Sequence, residues 1–214
     1  MEYLPELAIA AALAWASGLR LYAVLLAVGL LGRYGAVPIP ESLQILTHPA
    51  VITASGFMVF VEFFADKIPG VDSLWDAVHT FIRIPAGAAL AAAVLGADSE
   101  VMTIAAAILG GTIAAGTHFG KAGTRALINT SPEPVSNVAA SFSEEAMLAG
   151  GMWMAWFHPL VFLVLLALFL ILAVWLIAKL WQLIRNLLDG MKTENKRTKL
   201  LPDLRTENGG LRTE

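Results

Sequence analysis

The residues able to do chemistry are concentrated between Glu62 and Arg83, in the stretch EFFADKIPGVDSLWDAVHTFIR. Asp72, Asp76, His79 and Arg83 follow one another at i, i+4, i+7 and i+11, and on a helix that spacing puts all four on one face. The opposite face carries Val71, Leu74, Val78 and Ile82. Carboxylate and imidazole groups are usable ligands for divalent metals, and chains of Asp, Glu and His relay protons. Asp72, Asp76 and His79 are therefore the candidate metal ligands. The plainer alternative is an amphipathic elbow on a membrane surface, with Asp76 or His79 paired to Arg83.

Two more polar stripes follow. His118, Lys121 and Arg125 fall at i, i+3 and i+7; they suit an anion site or counter-charges for the acids, or else snorkelling side chains at a membrane edge. Asn137, Ser141 and Glu144 are again in helical register, with Glu145 one step round, so Glu144 is the acid expected to point inward. Glu62 stands alone within MVFVEFF. It is the best single candidate for proton coupling, the alternative being a structural pair with Lys121, Arg125 or Arg20. The candidate ion- or substrate-binding set is thus Glu62, Asp66, Asp72, Asp76, His79, Arg83, His118, Lys121, Arg125 and Glu144. GTHFGKAGT is not a nucleotide P-loop, because Ala115 and Ala122 stand where that motif needs glycine and a hydroxyl.

These residues need a scaffold, and composition names it. Of 214 residues, 57% are hydrophobic and 14% charged, against about 25% charged in ordinary soluble domains; mean hydropathy is +0.71. This is the balance of an integral membrane protein. Cysteine is absent, which excludes disulfides, thiolate metal sites and cysteine nucleophiles. The start, MEYLPELA, has no basic region ahead of its apolar run, so no cleaved signal peptide is expected.

Six apolar segments are expected, at about 5–31, 49–64, 71–96, 101–128, 138–157 and 159–188. Pro69, Gly70 and Pro85 predict a broken or kinked helix between residues 69 and 85. Residues 1–188 form the transmembrane domain, and 189–214 read as a disordered cytoplasmic tail. Lys192, Lys196, Arg197 and Lys199 place that tail inside by the positive-inside rule, and six spans put the amino terminus inside too. Lys67, Arg83, Lys121 and Arg125 then fall on the cytoplasmic side, while Asp98 and Glu100 form an acidic turn outside. Arg20, near the middle of the first segment, needs a carboxylate partner or a wet cavity. An echo between the runs before Arg20 and before Lys121, each followed by a proline-rich loop and a helix with buried acid, raises a 3+3 inverted repeat. Gly116 and Gly120 make a GxxxG through which membrane helices pack closely, and so a face for a second copy.

The stretches ADKIPGVDSLWDAVHTFIRIPAGA, HFGKAG and SPEPVSN occur in an order that resembles the bacterial membrane-protein family known as domain of unknown function 4126, over residues 5 to 188. The resemblance implies a bacterial inner (cytoplasmic) membrane location and brings no activity with it. A fainter likeness is to cation/proton exchangers with a Glu-x-Gly-Asp-Lys-Thr motif; Glu62-Phe-Phe-Ala-Asp66-Lys67 has one residue too many and lacks the glycine, so this is analogy alone.

The expected fold is an all-α polytopic membrane bundle. The expected function is a small secondary transporter or channel for an ion or small polar solute, with the polar stripes converging on a cytoplasm-facing cavity. An intramembrane metal-dependent enzyme and a non-catalytic membrane scaffold are the alternatives, and an enzyme is the less favoured. The sequence names no cofactor. Its partners are the lipid bilayer and a cation, proton or small solute, with no role for nucleic acid. A transporter predicts polar faces meeting at a cavity; an enzyme predicts three or more ligands within coordination distance; a scaffold predicts charges that pair off.

Overall fold

The protein is described by a computed structural model covering residues 3–96, 99–130 and 134–209. Every regular element is helical among the described residues. Six α-helices follow one another: α1 (Leu4–Arg33), α2 (Pro49–Ala65), α3 (Val71–Leu95), α4 (Glu100–Ile128), α5 (Pro134–Phe157) and α6 (Pro159–Gly209). A short 3₁₀ helix, Glu41–Thr47, leads into α2. Residues 1–174 form one compact unit and 175–214 a second. In the second, the backbone of residues 189–209, expected as a tail, is helical. Asp98, the loop residues 131–133, the end of the tail from 210 and the side chains of Lys192, Lys196, Arg197 and Lys199 lie outside the described residues.

By length and apolarity four helices could cross a membrane, Leu4–Arg33, Val71–Leu95, Glu100–Ile128 and Pro159–Leu183, or five if the 3₁₀ helix and α2, bent by 68°, form one span. The molecule is apolar outward. Phe57, Leu74, Phe81, Ile104 and Ile108 are each more than 60% exposed, the surface that a hydrocarbon solvent requires and water does not favour.

The inner faces of three helices repeat one pattern. In α3 the buried stripe is Asp72, Asp76, His79, Arg83, Gly87, Leu90, Ala91 and Val94. In α4 it is Ala106, Gly110, Ala114, Thr117, His118, Lys121 and Arg125. In α5 it runs Asn137, Ser141, Glu144, Leu148, Met152 and Ala155. Each stripe is polar at one end and small or apolar at the other. In α3 the charged face is thus buried and the face with Leu74, Val78 and Phe81 is exposed. That is the reverse of an elbow lying on a membrane surface. α3 also runs unbroken through Pro85, although that residue can give the carbonyl four residues back no hydrogen bond. Close packing holds this level: a Cβ on Gly87 would lie 2.6 Å from Ser17 Oγ, and the Ser17 hydroxyl reaches the carbonyls of Ala14 (2.8 Å) and Arg83 (3.3 Å). The expected break near residues 69–85 is therefore confined to the α2–α3 link, where Gly70 takes φ +84°, a conformation that costs glycine little.

The helix that does break internally is α1. Arg20 has φ −149° and ψ 79° in mid-helix. The two arms on either side return toward the same end of the bundle. Toward the amino end, Ser17 meets Arg83 and Ala14 lies beside Gly87, so this arm climbs α3 toward its carboxyl end, while Tyr22, just past the break, meets His79. Toward the carboxyl end, Arg20 pairs with Asp66 and Gly29 lies against Leu46 and Ile52, so this arm climbs α2 toward its amino end. That end is also the α3 carboxyl end, because Ser42 of the 3₁₀ helix donates to the Ala93 carbonyl. At 1.5 Å per residue the arms are about 24 and 20 Å long, each short of the roughly 30 Å hydrocarbon core. Within the expected inverted repeat, Arg20 sits at this break while its counterpart Lys121 lies in the uninterrupted α4.

This arrangement puts the α1 amino end and the α4–α5 link at opposite ends of the bundle. The chain has no cysteine, so single Glu6→Cys and Thr130→Cys variants can be labelled cleanly. A membrane-impermeant maleimide should reach them from opposite faces of sealed vesicles. Labelling of both from one face would mean that α1 crosses as a straight span.

Candidate functional site

The polar ends of the three stripes meet at the break in α1. Arg20 Nη2 lies 2.7 Å from Asp66 Oδ2 and donates to Ser141 Oγ at 2.8 Å. Its other nitrogens are 3.6 Å from Glu144 and from Glu145. Arg83 holds Glu62 in a short contact and Asp76 at 2.6 Å. Lys121 stands at 3.4 Å from each of Asp66, Asp76 and Glu144. Arg125 closes the set on Glu144 at 2.9 Å. Four cations (Arg20, Arg83, Lys121, Arg125) thus meet four carboxylates (Glu62, Asp66, Asp76, Glu144), all at most 7% exposed. Glu145, with 33% of its side chain exposed, joins at the rim.

Two of these cations reach backbone carbonyls at the breaks. Lys121 Nζ donates to the Leu19 carbonyl at 3.2 Å, next to the break in α1. Arg125 Nη1 donates to the carbonyl of Asp66, just past the end of α2, and also to that of Asn137 within α5. Inside a membrane an open carbonyl costs several kcal/mol, so these contacts are what allows the backbone to depart from helix there.

The remaining site residues sit around this centre. Asp72, in the first turn of α3, accepts from Gly70 N (2.8 Å) and from Asn129 Nδ2 (2.9 and 3.0 Å), and the positive end of the helix favours its charge. Asn137 Nδ2 donates to Asn129 Oδ1, which ties Asp72 to Arg125 through two amides. His79 stacks on Trp75 with ring centroids 4.1 Å apart and touches Tyr22. His118 contacts Thr80 at 2.7 Å. Asp72, Asp76 and His79 therefore share a face but hold three separate sets of partners, and among the described residues no three His, Cys, Asp or Glu side chains are grouped to hold a metal ion.

Lys67 lies outside the helices, partly buried, with its ammonium 3.0 Å from the centre of the Phe63 ring and 3.3 Å from Ser141 Oγ. Burial of the ammonium holds its pKa below the usual lysine value, and Glu145 pulls the other way. His48 caps α2, its Nδ1 accepting from Ala50 N. Gly116 and Gly120 turn toward Leu170 and Ala173 of α6 in the same unit. Sequence reasoning found Arg20 only through its depth and Ser141 only through its helical register, and Thr80, Asn129 and Tyr22 as second partners carry no local signal.

A separate apolar cavity of about 340 Å³ lies between α1, α5 and α6, lined by Trp15, Gly151, Phe162 and Phe169 among others.

The model of the family described as domain of unknown function (DUF4126) matches residues 7–179, and the chain belongs to that family. No curated protein and no solved structure matches it.

The ion pairs predict how single changes act. Removing one member of a buried pair leaves the other uncompensated, at about 3–5 kcal/mol. Among the described residues Glu62 pairs with Arg83 alone, and Asp76 keeps Lys121 when Arg83 is lost. Arg83→Met should therefore lower thermal stability in detergent sharply, and Arg83→Met with Glu62→Gln should recover part of the loss. A double variant no better than Arg83→Met would show that the charge pair does not govern stability here.

Proposed function

We propose that this family member is a transport protein, a small secondary transporter or channel for an ion or small polar solute, working through the charge network at the α1 break. The observation that carries this reading is the state of the carboxylates. Glu62 Oε2, Asp66 Oδ1 and Asp76 Oδ2 are buried and have no hydrogen-bond partner among the described residues. A purely structural network is expected to satisfy its acceptors, because each buried unsatisfied polar atom costs about 1–3 kcal/mol. Spare acceptor capacity beside a broken helix fits a site that takes up a cation, a proton or a polar solute. Lys67, Arg125 and Lys121 support a cytoplasmic position for the network end, and the α1 arms then put the amino end of α1 on the opposite face.

The scaffold reading is favoured by one feature, the pairing of every cation in the network with a carboxylate. Among the described residues no group of the kind a catalytic metal needs supports the enzyme reading.

Purified protein in liposomes, assayed for flux of metal cations, alkali cations and small anions under an imposed pH gradient, separates these readings. Transport predicts flux for at least one solute, reduced tenfold or more in Glu62→Gln. Folded wild-type protein that moves no solute would count for the scaffold.

A further inference from the structure

The hydrogen-bond geometry fixes the protons on both histidines of the site, and they differ. The Thr80 hydroxyl has a single hydrogen and donates it to the Asp76 carbonyl at 3.0 Å. Its 2.7 Å contact with His118 Nε2 must then be an N–H donated by the ring. Neutral His118 is therefore the Nε2–H tautomer, and Nδ1 carries the lone pair. His79 is the opposite case. Its Nδ1 faces the Trp75 carbonyl at 2.8 Å and must donate, which leaves Nε2 to accept the Tyr22 hydroxyl at 3.1 Å. Both His79 nitrogens are used. Among the described residues His118 Nδ1 is buried without a hydrogen-bond partner, in a residue 1% exposed whose imidazole also faces the Gly18 backbone.

We propose that His118 Nδ1 is a proton-binding site of the network, and, resting on the transport reading above, that it carries the coupling proton. On one side of the membrane a hydronium ion gives its proton to the Nδ1 lone pair and leaves as water; on the other the imidazolium N–H bond breaks, a water takes the proton, and hydronium and neutral imidazole are restored. The charged groups facing His118 are Arg83 and Asp76 from α3 and Lys121 from its own helix; α1 and α5 bring Arg20 and Glu144 to the same network. Protonation turns an unpaired acceptor into a donor on a ring that faces the Gly18 backbone and the Asp76 carboxylate, whose Oδ2 has no hydrogen-bond partner among the described residues. Because the network is otherwise balanced, the added positive charge also has to change its pairing. Proton binding is in this way linked to rearrangement at the α1 break.

The test is ¹⁵N NMR of histidine-labelled protein in lipid vesicles, titrated from about pH 8 to about pH 4, a range that spans the ordinary histidine value. His118 is assigned from the signal missing in His118→Gln. The expected result is a ring protonated only at Nε2 at the alkaline end, gaining a second proton on acidification while the other signals report an intact fold. Thr80→Val, which leaves the imidazole in place, should let the two neutral tautomers mix. A ring that carries its neutral proton on Nδ1, or never takes a second one, would overturn the proposal. Solute flux in His118→Gln with proton coupling intact would overturn the coupling role. Proton uptake at His118 in a protein that moves no solute would leave the site standing and count against transport.

Discussion

Charge matching in a low-dielectric interior is the constraint on which this structure depends. An unpaired ion transferred from water into such surroundings costs many kcal/mol, more than a domain's whole stability. Eight ionised side chains from five elements can share one buried site only because each finds an opposite charge within 4 Å. The pairs also interlock. Asp66 serves Arg20 and Lys121, Asp76 serves Arg83 and Lys121, and Glu144 serves Arg20, Lys121 and Arg125. Helices α1, α3, α4 and α5 and the link after α2 are thus held in one relative register, at the end of the bundle where small and apolar packing gives out.

The break in α1 is the other half of the same arrangement. Backbone that leaves the helix inside a membrane survives only where protein groups replace the lost bonds. Lys121 does this at Leu19, and Gly18 lets α4 come close enough for it, since a Cβ there would lie 2.9 Å from Thr117 Cβ. The break in turn places the Arg20 guanidinium between the link after α2 and α5 rather than against one element. The side chains that pay for burying charge are therefore also the ones that permit the broken helix.

Much of the site was legible in the sequence as helical phase. The stripes Asp72/Asp76/His79/Arg83, His118/Lys121/Arg125 and Asn137/Ser141/Glu144 all face inward, because 3.6-residue periodicity is a local property and these helices are regular. What was not legible depends on distant partners. No proline marks Arg20, and the extended backbone there follows from contacts with α2, α4 and α5 that sequence spacing does not encode. Pro85 carried a stronger local signal for a break, yet tertiary packing on Ser17 and Ala114 overrides it. The GxxxG of α4 reads identically whether it meets a second copy or α6, so its partner was beyond local reasoning. The same holds for the histidines, whose tautomers follow from Thr80 and Trp75 acting in opposite senses.

The central claim is that the network is stabilised as a charge-balanced whole and not only pair by pair. Glu62 and Arg125 are members that share no ion pair, so they test it directly. The measurement is a double-mutant cycle in thermal stability with Glu62→Gln, Arg125→Gln and both together. Balance across the network predicts that the double variant is less destabilised than the sum of the singles, with a coupling above the roughly 0.5 kcal/mol at which independent sites still add. Simple additivity would contradict the account and reduce the site to separate salt bridges.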